Sequence, residues 1–223
     1  MLPSSTVENY LKALYQAQVA LENDKALVPM GQLASAVGVA PGTATTMVKA
    51  LAKSGLVDYE PYLGVRLSTA GAALATMVLR RHRLIEQFLV EIMGMSWTEV
   101  HEDAEKLEHV VSDRLIERMD AMLGHPSVDP HGDPIPTPDG DMAPHRYHSL
   151  LTCPLHTQVK VTRVADQDAI FLRFLEAQRL KPGQALEVEA RDSAADSVQL
   201  LTEGQRRITI GAKAASKVLI EVA

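Results

Sequence analysis

Residues 29–67 read PMGQLASAVGVAPGTATTMVKALAKSGLVDYEPYLGVRL, and this stretch decides the fold of the N-terminal third of the chain. Pro29 can open one helix and Pro41 can open another. Gly38 and Gly55 are stop signals after the first and the second helix. The spacing predicts two helices joined by a short turn that contains glycine, which are the dimensions of a helix-turn-helix.

A hairpin is predicted immediately after this helix pair. Residues 56–60 and 65–67 are short β-prone runs, and the Pro-Tyr-Leu-Gly segment between them favours a turn. A hairpin directly after the second helix of a helix-turn-helix is the wing of a winged helix. Because small helix pairs occur in many folds, DNA binding is a hypothesis that needs support from the rest of the chain.

Longer helices are expected on both sides of this segment. Ser5 and Glu8 fit a capping box for a helix over residues 5–22. Apolar residues at helical spacing predict two more helices, over residues 68–93 and 97–123. These two helices offer more apolar surface than a small winged helix needs to cover, and homodimerisation is the simplest use of it.

The chain changes character after residue 124. Six of the twelve prolines fall within residues 125–149, which we expect to form an extended connector. A small five-stranded barrel is expected from about residue 151 onward, with strands at residues 157–164, 186–190, 207–210 and 218–222 and a short helix at 168–177. The expected fold class is therefore mainly α with a small β part.

Composition narrows the class of protein. Hydrophobic residues make up 46% of the 223 residues and charged residues 22%, which is an ordinary globular mixture. No apolar run approaches the ~20 residues of a membrane-spanning helix, and the N-terminus lacks a secretory signal, so we expect a cytoplasmic protein without membrane contact. The single cysteine, Cys153, excludes an internal disulfide. A net charge of −6 argues mildly against nucleic acid.

Carboxylates and histidines are concentrated in the predicted helices after the hairpin. Residues 75–128 hold ten acidic and six basic residues, together with four of the eight histidines. The members at helical spacing are His82 and Glu86 on the earlier helix and His101, Glu105, Glu108 and His109 on the later one. If the helices pack antiparallel, the two faces can meet in a cation site, although a solvated helix face has the same composition.

Five stretches of sequence, taken together, resemble a known family. They are 8–12 ENYLK, 53–57 KSGLV, 81–86 RHRLIE, 101–113 HEDAEKLEHVVSD and 129–136 DPHGDPIP. They are similar to the diphtheria-toxin-repressor family (DtxR/MntR) of metal-dependent transcriptional repressors, in the manganese-responsive branch with a C-terminal SH3-like (FeoA-like) domain. The last three stretches are specific, and the resemblance covers most of the chain, more weakly after residue 150.

The resemblance implies two metal sites in each subunit. The primary site would consist of Asn9 from the first helix together with His82, Glu105, Glu108 and His109. The second site would consist of Glu86, Asp129 and His131, completed by Asp166 from the C-terminal domain. His101 matches a ligand of the ancillary site in the iron-sensing branch and is a possible further ligand.

Three departures within the family bear on the identity of the metal. Iron-sensing relatives carry a cysteine where this chain has Glu105, and a carboxylate in place of a thiolate suits Mn²⁺, with Fe²⁺ as the alternative. Manganese-responsive relatives usually carry an aspartate at the position of Asn9, whose amide can coordinate a metal but brings no charge. Some relatives carry a cysteine where this chain has Asp129, so the second site also keeps an oxygen ligand.

The resemblance implies a repressor of metal-uptake or homeostasis genes, and not an enzyme, that binds double-stranded operator DNA as a metal-activated homodimer. The expected segments are a winged helix-turn-helix over 1–72, a helical metal-binding and dimerisation domain over 73–140, a linker over 141–150 and the SH3-like domain over 151–223. DNA contacts are expected from Thr43, Thr45, Thr46 and Lys49 on the second helix of the motif and from Arg66 on the wing. The alternative for the threonines is that they are ordinary surface residues.

Two other functions stay open at this point. One is a helical metalloenzyme with a dinuclear carboxylate centre, but such centres usually carry two Glu-x-x-His motifs, and this chain has no second copy. The other is a winged-helix regulator that responds to a small organic ligand. In that case the face with His and Glu would be merely solvated.

Overall fold

The computed structural model describes residues 4–21, 26–142 and 148–222. The chain divides into two units. The first unit comprises Met1–His82, Lys106–Asp113 and Pro136–Met142, and the second comprises Arg83–Glu105, Arg114–Ile135 and Ala143–Ala223. None of the described helices combines the length and the apolar character needed to cross a membrane.

Helix α1 (Ser5–Ala20) opens the first unit. Its N-cap is Ser4, whose Oγ accepts a hydrogen bond from the backbone N–H of Val7 at 3.4 Å. The predicted capping box on Ser5 and Glu8 is therefore wrong, and the carboxylate of Glu8 is buried instead of bonding to the helix end.

The predicted winged helix is confirmed. Helices α2 (Met30–Ala36) and α3 (Pro41–Lys53) form the helix pair, followed by the antiparallel hairpin of β1 (Val57–Glu60) and β2 (Gly64–Leu67). Gly38 and Gly55 stand at φ +68° and +70°, the left-handed conformation that ends a helix. The core of this part contains fully buried leucines of α1 and α2, each of which contributes about 1.5–3 kcal/mol; they are Leu11, Leu14 and Leu33.

The helical region after the wing differs from the prediction. Helix α4 (Thr69–Glu91) is continuous, but the helix expected over 97–123 is two helices, α5 (Val100–Leu107) and α6 (Asp113–Met122). The chain turns at residues 108–110, where the N–H groups of Val110 and Val111 both bond to the carbonyl of Leu107. Two adjacent β-branched residues have low helix propensity, so the break is inexpensive at this point.

A six-stranded antiparallel sheet forms most of the second unit. Its elements in chain order are β3 (His148–Ser149), β4 (Gln158–Val164), α7 (Ala169–Gln178), β5 (Ala185–Asp192), β6 (Ser197–Thr202), β7 (Arg207–Gly211), α8 (Ala212–Ala215) and β8 (Val218–Val222). The strands lie in the order β3-β8-β4-β5-β6-β7. The predicted strands and the short helix are confirmed, but the count of five strands is wrong because the sheet also contains β3 and β6. Alternate residues of β4 and β5, such as Val159, Val161 and Val188, fill the core.

The predicted connector over 125–149 is not uniformly extended in its described part, and its residues 143–147 lie outside the described residues. Val128 and Pro134 form an isolated β-bridge, and the loop between them is held by Asp129. Asp129, His131 and Asp133 are all buried in this loop. Charged and imidazole side chains are rarely buried without partners, so this loop belongs to a polar site and is not a plain linker.

Candidate metal centre

The first polar cluster lies within the first unit and consists of Glu8, Lys12, His82, Glu108 and His109. Glu8 and Lys12 are one turn apart on α1, His82 is on α4, and Glu108 and His109 follow the end of α5. All five side chains are between fully buried and 12% exposed. The break after Leu107 is thus where the chain contributes two functional side chains to this cluster.

Distances within the first cluster are those of direct contact. His82 Nδ1 lies 2.5 Å from Glu108 Oε2, and His109 Nδ1 lies 2.5 Å from Glu8 Oε2. The second ring nitrogen of His109, Nε2, lies 3.3 Å from Glu108 Oε1. If Nδ1 of His109 donates its proton to Glu8, the lone pair on Nε2 faces the Glu108 oxygen, and these two atoms need a shared proton or cation.

Charge balance in the first cluster is provided by Lys12 and Arg81. Burial alone would raise the pKa of Glu108, but the hydrogen bond from His82 and the charge of Lys12 outweigh it and hold that pKa below its usual range. Arg81 lies 3.7 Å from Glu8 and 2.6 Å from Asp113. Glu108 is therefore held as a carboxylate, the form that binds a cation.

Asn9 of α1 was expected at this site, and in the structure the α1 side chains in the first cluster are those of Glu8 and Lys12. The side chain of Asn9 is exposed, whereas that of its neighbour Glu8 is buried and contacts His109. Glu105 lies on α5 in the second unit, half-buried, with its carboxylate 3.8 Å from His101 Nε2. The charged pair Glu8 and Lys12 was not expected, because a charged pair one turn apart on a helix usually lies in solvent.

The second polar cluster lies within the second unit and consists of Glu86, Asp129 and His131. Glu86 is on α4, and the other two are in the 128–134 loop. All three are buried, and the ligand atoms they offer lie within 4.8 Å of one another. His101 Nδ1 lies 3.1 Å from Glu86 Oε1 at the half-exposed edge of this cluster.

Backbone groups fix the loop side chains of the second cluster. Asp129 Oδ1 accepts hydrogen bonds from the N–H groups of His131 and Asp133, at 2.8 and 2.9 Å. His131 Nε2 donates to the carbonyl of Trp97 at 2.8 Å. With the proton on Nε2, the other ring nitrogen Nδ1 presents its lone pair 3.5 Å from Glu86 Oε2. This orientation is the one in which an imidazole can bind a metal.

Electrostatics of the second cluster favour an added positive charge. Burial, with the nearby charges of Asp133 and Glu86, raises the pKa of Asp129 to about 8. Burial alone would lower the pKa of His131, but Glu86 and Asp129 raise it above its usual value. Asp129 Oδ2 and His131 Nδ1 have no hydrogen-bond partner among the described residues, and Arg83 Nε lies 3.9 Å from Asp129 Oδ2. Buried atoms in this condition are costly, and a divalent cation fits both their charge and their chemistry.

Residues 148–222, which form the six-stranded sheet with its two helices and are called the β-domain below, also contact the loop of the second cluster. The N–H of Val164 on β4 donates to the carbonyl of His131 at 2.8 Å. Asp133 lies 2.5 Å from the guanidinium of Arg163 and accepts a hydrogen bond from Gln167 at 2.8 Å. These contacts could not be expected from the sequence, because nothing in the spacing relates residues 133 and 163.

Asp166, expected to complete the second site, is engaged elsewhere. Its carboxylate forms an ion pair with Lys217, and this hydrogen bond holds the pKa of Asp166 below its usual range. The structure does not bring Asp166 into the group of Glu86, Asp129 and His131. Among the described residues, the β-domain instead contributes Arg163 and Gln167, through Asp133.

The expected DNA contacts lie on α3 and β2. Thr43, Thr46 and Lys49 are exposed, and Thr45 is half-buried. The hydroxyls of Thr45 and Thr46 donate to the carbonyls of Pro41 and Gly42, at 2.8 and 3.0 Å, a bond that serine and threonine often make inside helices. Arg66 donates from Nε to Asp58 at 3.2 Å across the hairpin, which engages part of its guanidinium.

The models of three protein families match consecutive parts of the chain. "Iron dependent repressor, N-terminal DNA binding domain" matches residues 3–65, and "Iron dependent repressor, metal binding and dimerisation domain" matches residues 68–137. "FeoA domain" matches residues 148–222. Together these matches account for the winged helix, the helices of the two clusters and the β-domain, in that order.

Individual relatives agree over nearly the whole length. The chain is 28% identical to the iron-dependent repressor IdeR of Mycobacterium leprae (strain TN), over 97% of this chain and 96% of that protein. A solved structure of a manganese-dependent transcriptional repressor in complex with manganese is 36% identical, with a TM-score of 0.87 over 97% of this chain and 100% of that one. The manganese regulator SloR is 32% identical, with a TM-score of 0.76 over 100% of both chains.

The alternatives of a metalloenzyme and of a regulator without a metal site have no counterpart among these relatives. The resemblance inferred from the sequence is confirmed by matches to all three domains. The chain belongs to the iron-dependent repressor (DtxR/IdeR/MntR) family of metal-dependent, DNA-binding transcriptional repressors, which are not enzymes.

Proposed function

We propose that the chain is a repressor activated by Mn²⁺, with Fe²⁺ as the alternative ion, that acts on genes of metal uptake or homeostasis. The observation that carries this proposal is the pair of buried clusters, each built from carboxylates and imidazoles without a thiol. Oxygen donors mixed with imidazole suit Mn²⁺ and Fe²⁺ better than they suit softer metals. A protein that binds chromosomal operators would act in the cytoplasm.

The proposed primary ligands are His82, Glu105, Glu108 and His109. On α1, beside Asn9, which the family resemblance gives as a ligand, Glu8 orients His109 by accepting its Nδ1 proton. A carboxylate in this position fixes the tautomer of a metal-binding histidine and raises its basicity. The proposed second site consists of Glu86, Asp129 and His131, with His101 at its edge, which gives two sites per subunit.

Metal control of DNA binding would act through α1. Glu108 and His109 would hold a cation at the first cluster, and the cation would supply positive charge beside the carboxylates there. Glu8 and Lys12 belong to the same helix as Leu11 and Leu14, which are buried in the winged-helix core. Fixing α1 against His109 therefore restricts the positions open to the recognition helix α3. By linkage, DNA binding would strengthen metal binding by the same factor.

Operator binding is proposed for a homodimer. Two recognition helices read half-sites separated by about 34–36 Å, so a palindromic operator selects dimers of one geometry. Large apolar side chains are exposed at the end of α4 and along α6, and a second copy of the chain would cover them; they are Ile92, Met93, Leu115 and Met122. Lys49 would contact phosphate, and Thr43, Thr45 and Thr46 would contact bases or thymine methyl groups.

The experiment that tests this function is DNA binding by metal-stripped protein, measured by fluorescence anisotropy with its own upstream region at fixed salt. Addition of Mn²⁺ should raise the affinity about 5–150-fold, the usual range for a coupling of 1–3 kcal/mol. His109→Ala should abolish the gain. Metal binding without any change in DNA affinity, on this DNA and on DNA selected from random sequence, would count against the proposal.

A further inference from the structure

The ammonium group of Lys12 is buried against the carboxylate of Glu108. Its Nζ lies 2.7 Å from Oε1 and 2.9 Å from Oε2, so one lysine engages both oxygens of one glutamate. The lysine side chain is 8% exposed and the glutamate side chain 0%. Lysine is almost never buried to this degree without a charged partner, so the contact is specific to this carboxylate.

The same carboxylate is the centre of the first cluster. His82 Nδ1 lies 2.5 Å from Oε2, and His109 Nε2 lies 3.3 Å from Oε1. Each Glu108 oxygen thus faces one histidine nitrogen and, in addition, the lysine ammonium. A divalent cation bound by Glu108 and these histidines would stand close to a fixed positive charge, and like charges at such distances repel strongly in a buried site.

We infer that Lys12 sets the affinity of the first cluster for a divalent metal ion. Its ammonium is an internal cation that binds Glu108, and the metal must displace it. This inference rests on the proposed function. Lys12 keeps the buried carboxylate neutralised when no metal is bound, and it lowers the affinity of the site by the strength of that ion pair. The residue would therefore raise the metal concentration at which repression begins.

The test measures Mn²⁺ binding to the full-length protein, by the electron paramagnetic resonance signal of free Mn²⁺, together with thermal unfolding in chelator. Lys12→Met removes the charge and keeps most of the side-chain volume, and Lys12→Arg keeps the charge. Lys160→Met, at an exposed position on β4, is the matched control. These variants separate the charge of Lys12 from its bulk.

We expect Lys12→Met to bind its first-cluster Mn²⁺ about tenfold more tightly or better, because a buried carboxylate that has lost its partner gains more from a metal. The same variant should unfold at a lower temperature in chelator and recover that loss when Mn²⁺ is added. Lys12→Arg and Lys160→Met should both stay close to the wild-type protein. Lys12→Gln replaces Lys12→Met if the latter does not fold, with the same expected tightening.

Mn²⁺ binding by Lys12→Met that is equal to or weaker than that of the wild type would overturn the inference and leave the proposed function standing. The absence of Mn²⁺ binding by the wild-type protein would overturn both. Loss of thermal stability in Lys12→Met without any change in Mn²⁺ affinity would show that the ion pair only supports the fold, which also contradicts the inference.

Discussion

Gly132 lies directly against the backbone of Thr162, in the loop of the second cluster. It stands at φ +85°, and a Cβ added to it would lie 1.8 Å from the Thr162 carbonyl oxygen and 2.7 Å from the Cα of Arg163. No side chain fits there without movement of backbone. The loop that carries Asp129 and His131 is thereby closely fitted to strand β4.

Gly132→Ala should therefore push this loop away from β4. We expect a loss of about 1–3 kcal/mol in the free energy of unfolding from backbone strain alone, with a further loss from the clash. We also expect weaker Mn²⁺ binding at the second cluster. Urea unfolding and Mn²⁺ stoichiometry measure the two effects. Gly183→Ala is the matched control, since Gly183 has φ +94° but an added Cβ would meet nothing within 4 Å. Equal effects of the two substitutions on metal binding would contradict this account.

Asp129 makes the stability of the protein depend on pH, and its contribution decreases as the pH rises. Its pKa is raised by burial to about 8, so between roughly pH 4 and 8 the folded protein keeps a proton that the unfolded chain has lost. The contribution of Asp129 to stability therefore falls as the pH rises through this window. In chelator, Asp129→Asn should be increasingly more stable than the wild type from pH 5 to pH 8.

Unfolding by urea at several pH values measures this difference, with the exposed Asp139→Asn as control. Mn²⁺ should stabilise the wild-type protein most at the upper end of the range, where the proton competes least for Asp129. It should stabilise Asp129→Asn much less. A stability difference that does not change with pH would show that Asp129 is ionised throughout and that its burial is compensated in another way.

Lys49 provides a test of the recognition helix. It is exposed on α3 at the position expected to meet phosphate. Lys49→Gln should weaken binding about equally on operator and unrelated DNA, and it should reduce the salt dependence of binding by about one counterion per subunit. Anisotropy titrations at several salt concentrations measure both. A loss confined to operator DNA would place Lys49 on a base instead.

Much of this fold follows from local sequence. The winged helix is predictable because Pro29, Gly38, Pro41 and Gly55 mark helix ends by backbone conformation alone. The break after Leu107 is not predictable from local sequence, because apolar residues continue at helical spacing through Val111 and Leu115. Glu108 and His109 make buried contacts at that break, and no local pattern contains these contacts.

The residues of the candidate sites also differ in whether local sequence reveals them. His82, Glu108 and His109 are detectable because carboxylates and imidazoles recur at helical spacing. Glu8 and Lys12 are not, since a charged pair one turn apart usually lies in solvent. Asp129 and His131 lie in a proline-rich segment whose composition predicts a connector. Their burial depends on contacts with β4, about thirty residues further along the chain.

The most direct test of the central claim, that metal at the first cluster controls DNA binding, compares two adjacent residues of α1. Operator binding is measured by anisotropy as a function of Mn²⁺ for the wild type, Glu8→Gln and Asn9→Ala. We predict a Mn²⁺-dependent gain in the wild type, and a shift to about 10–100-fold higher Mn²⁺ for Glu8→Gln, the usual cost of losing the carboxylate that orients a metal-binding histidine. Asn9→Ala, whose side chain is exposed, should behave as the wild type. A wild-type protein indifferent to Mn²⁺, or a loss of response in Asn9→Ala with none in Glu8→Gln, would contradict the account.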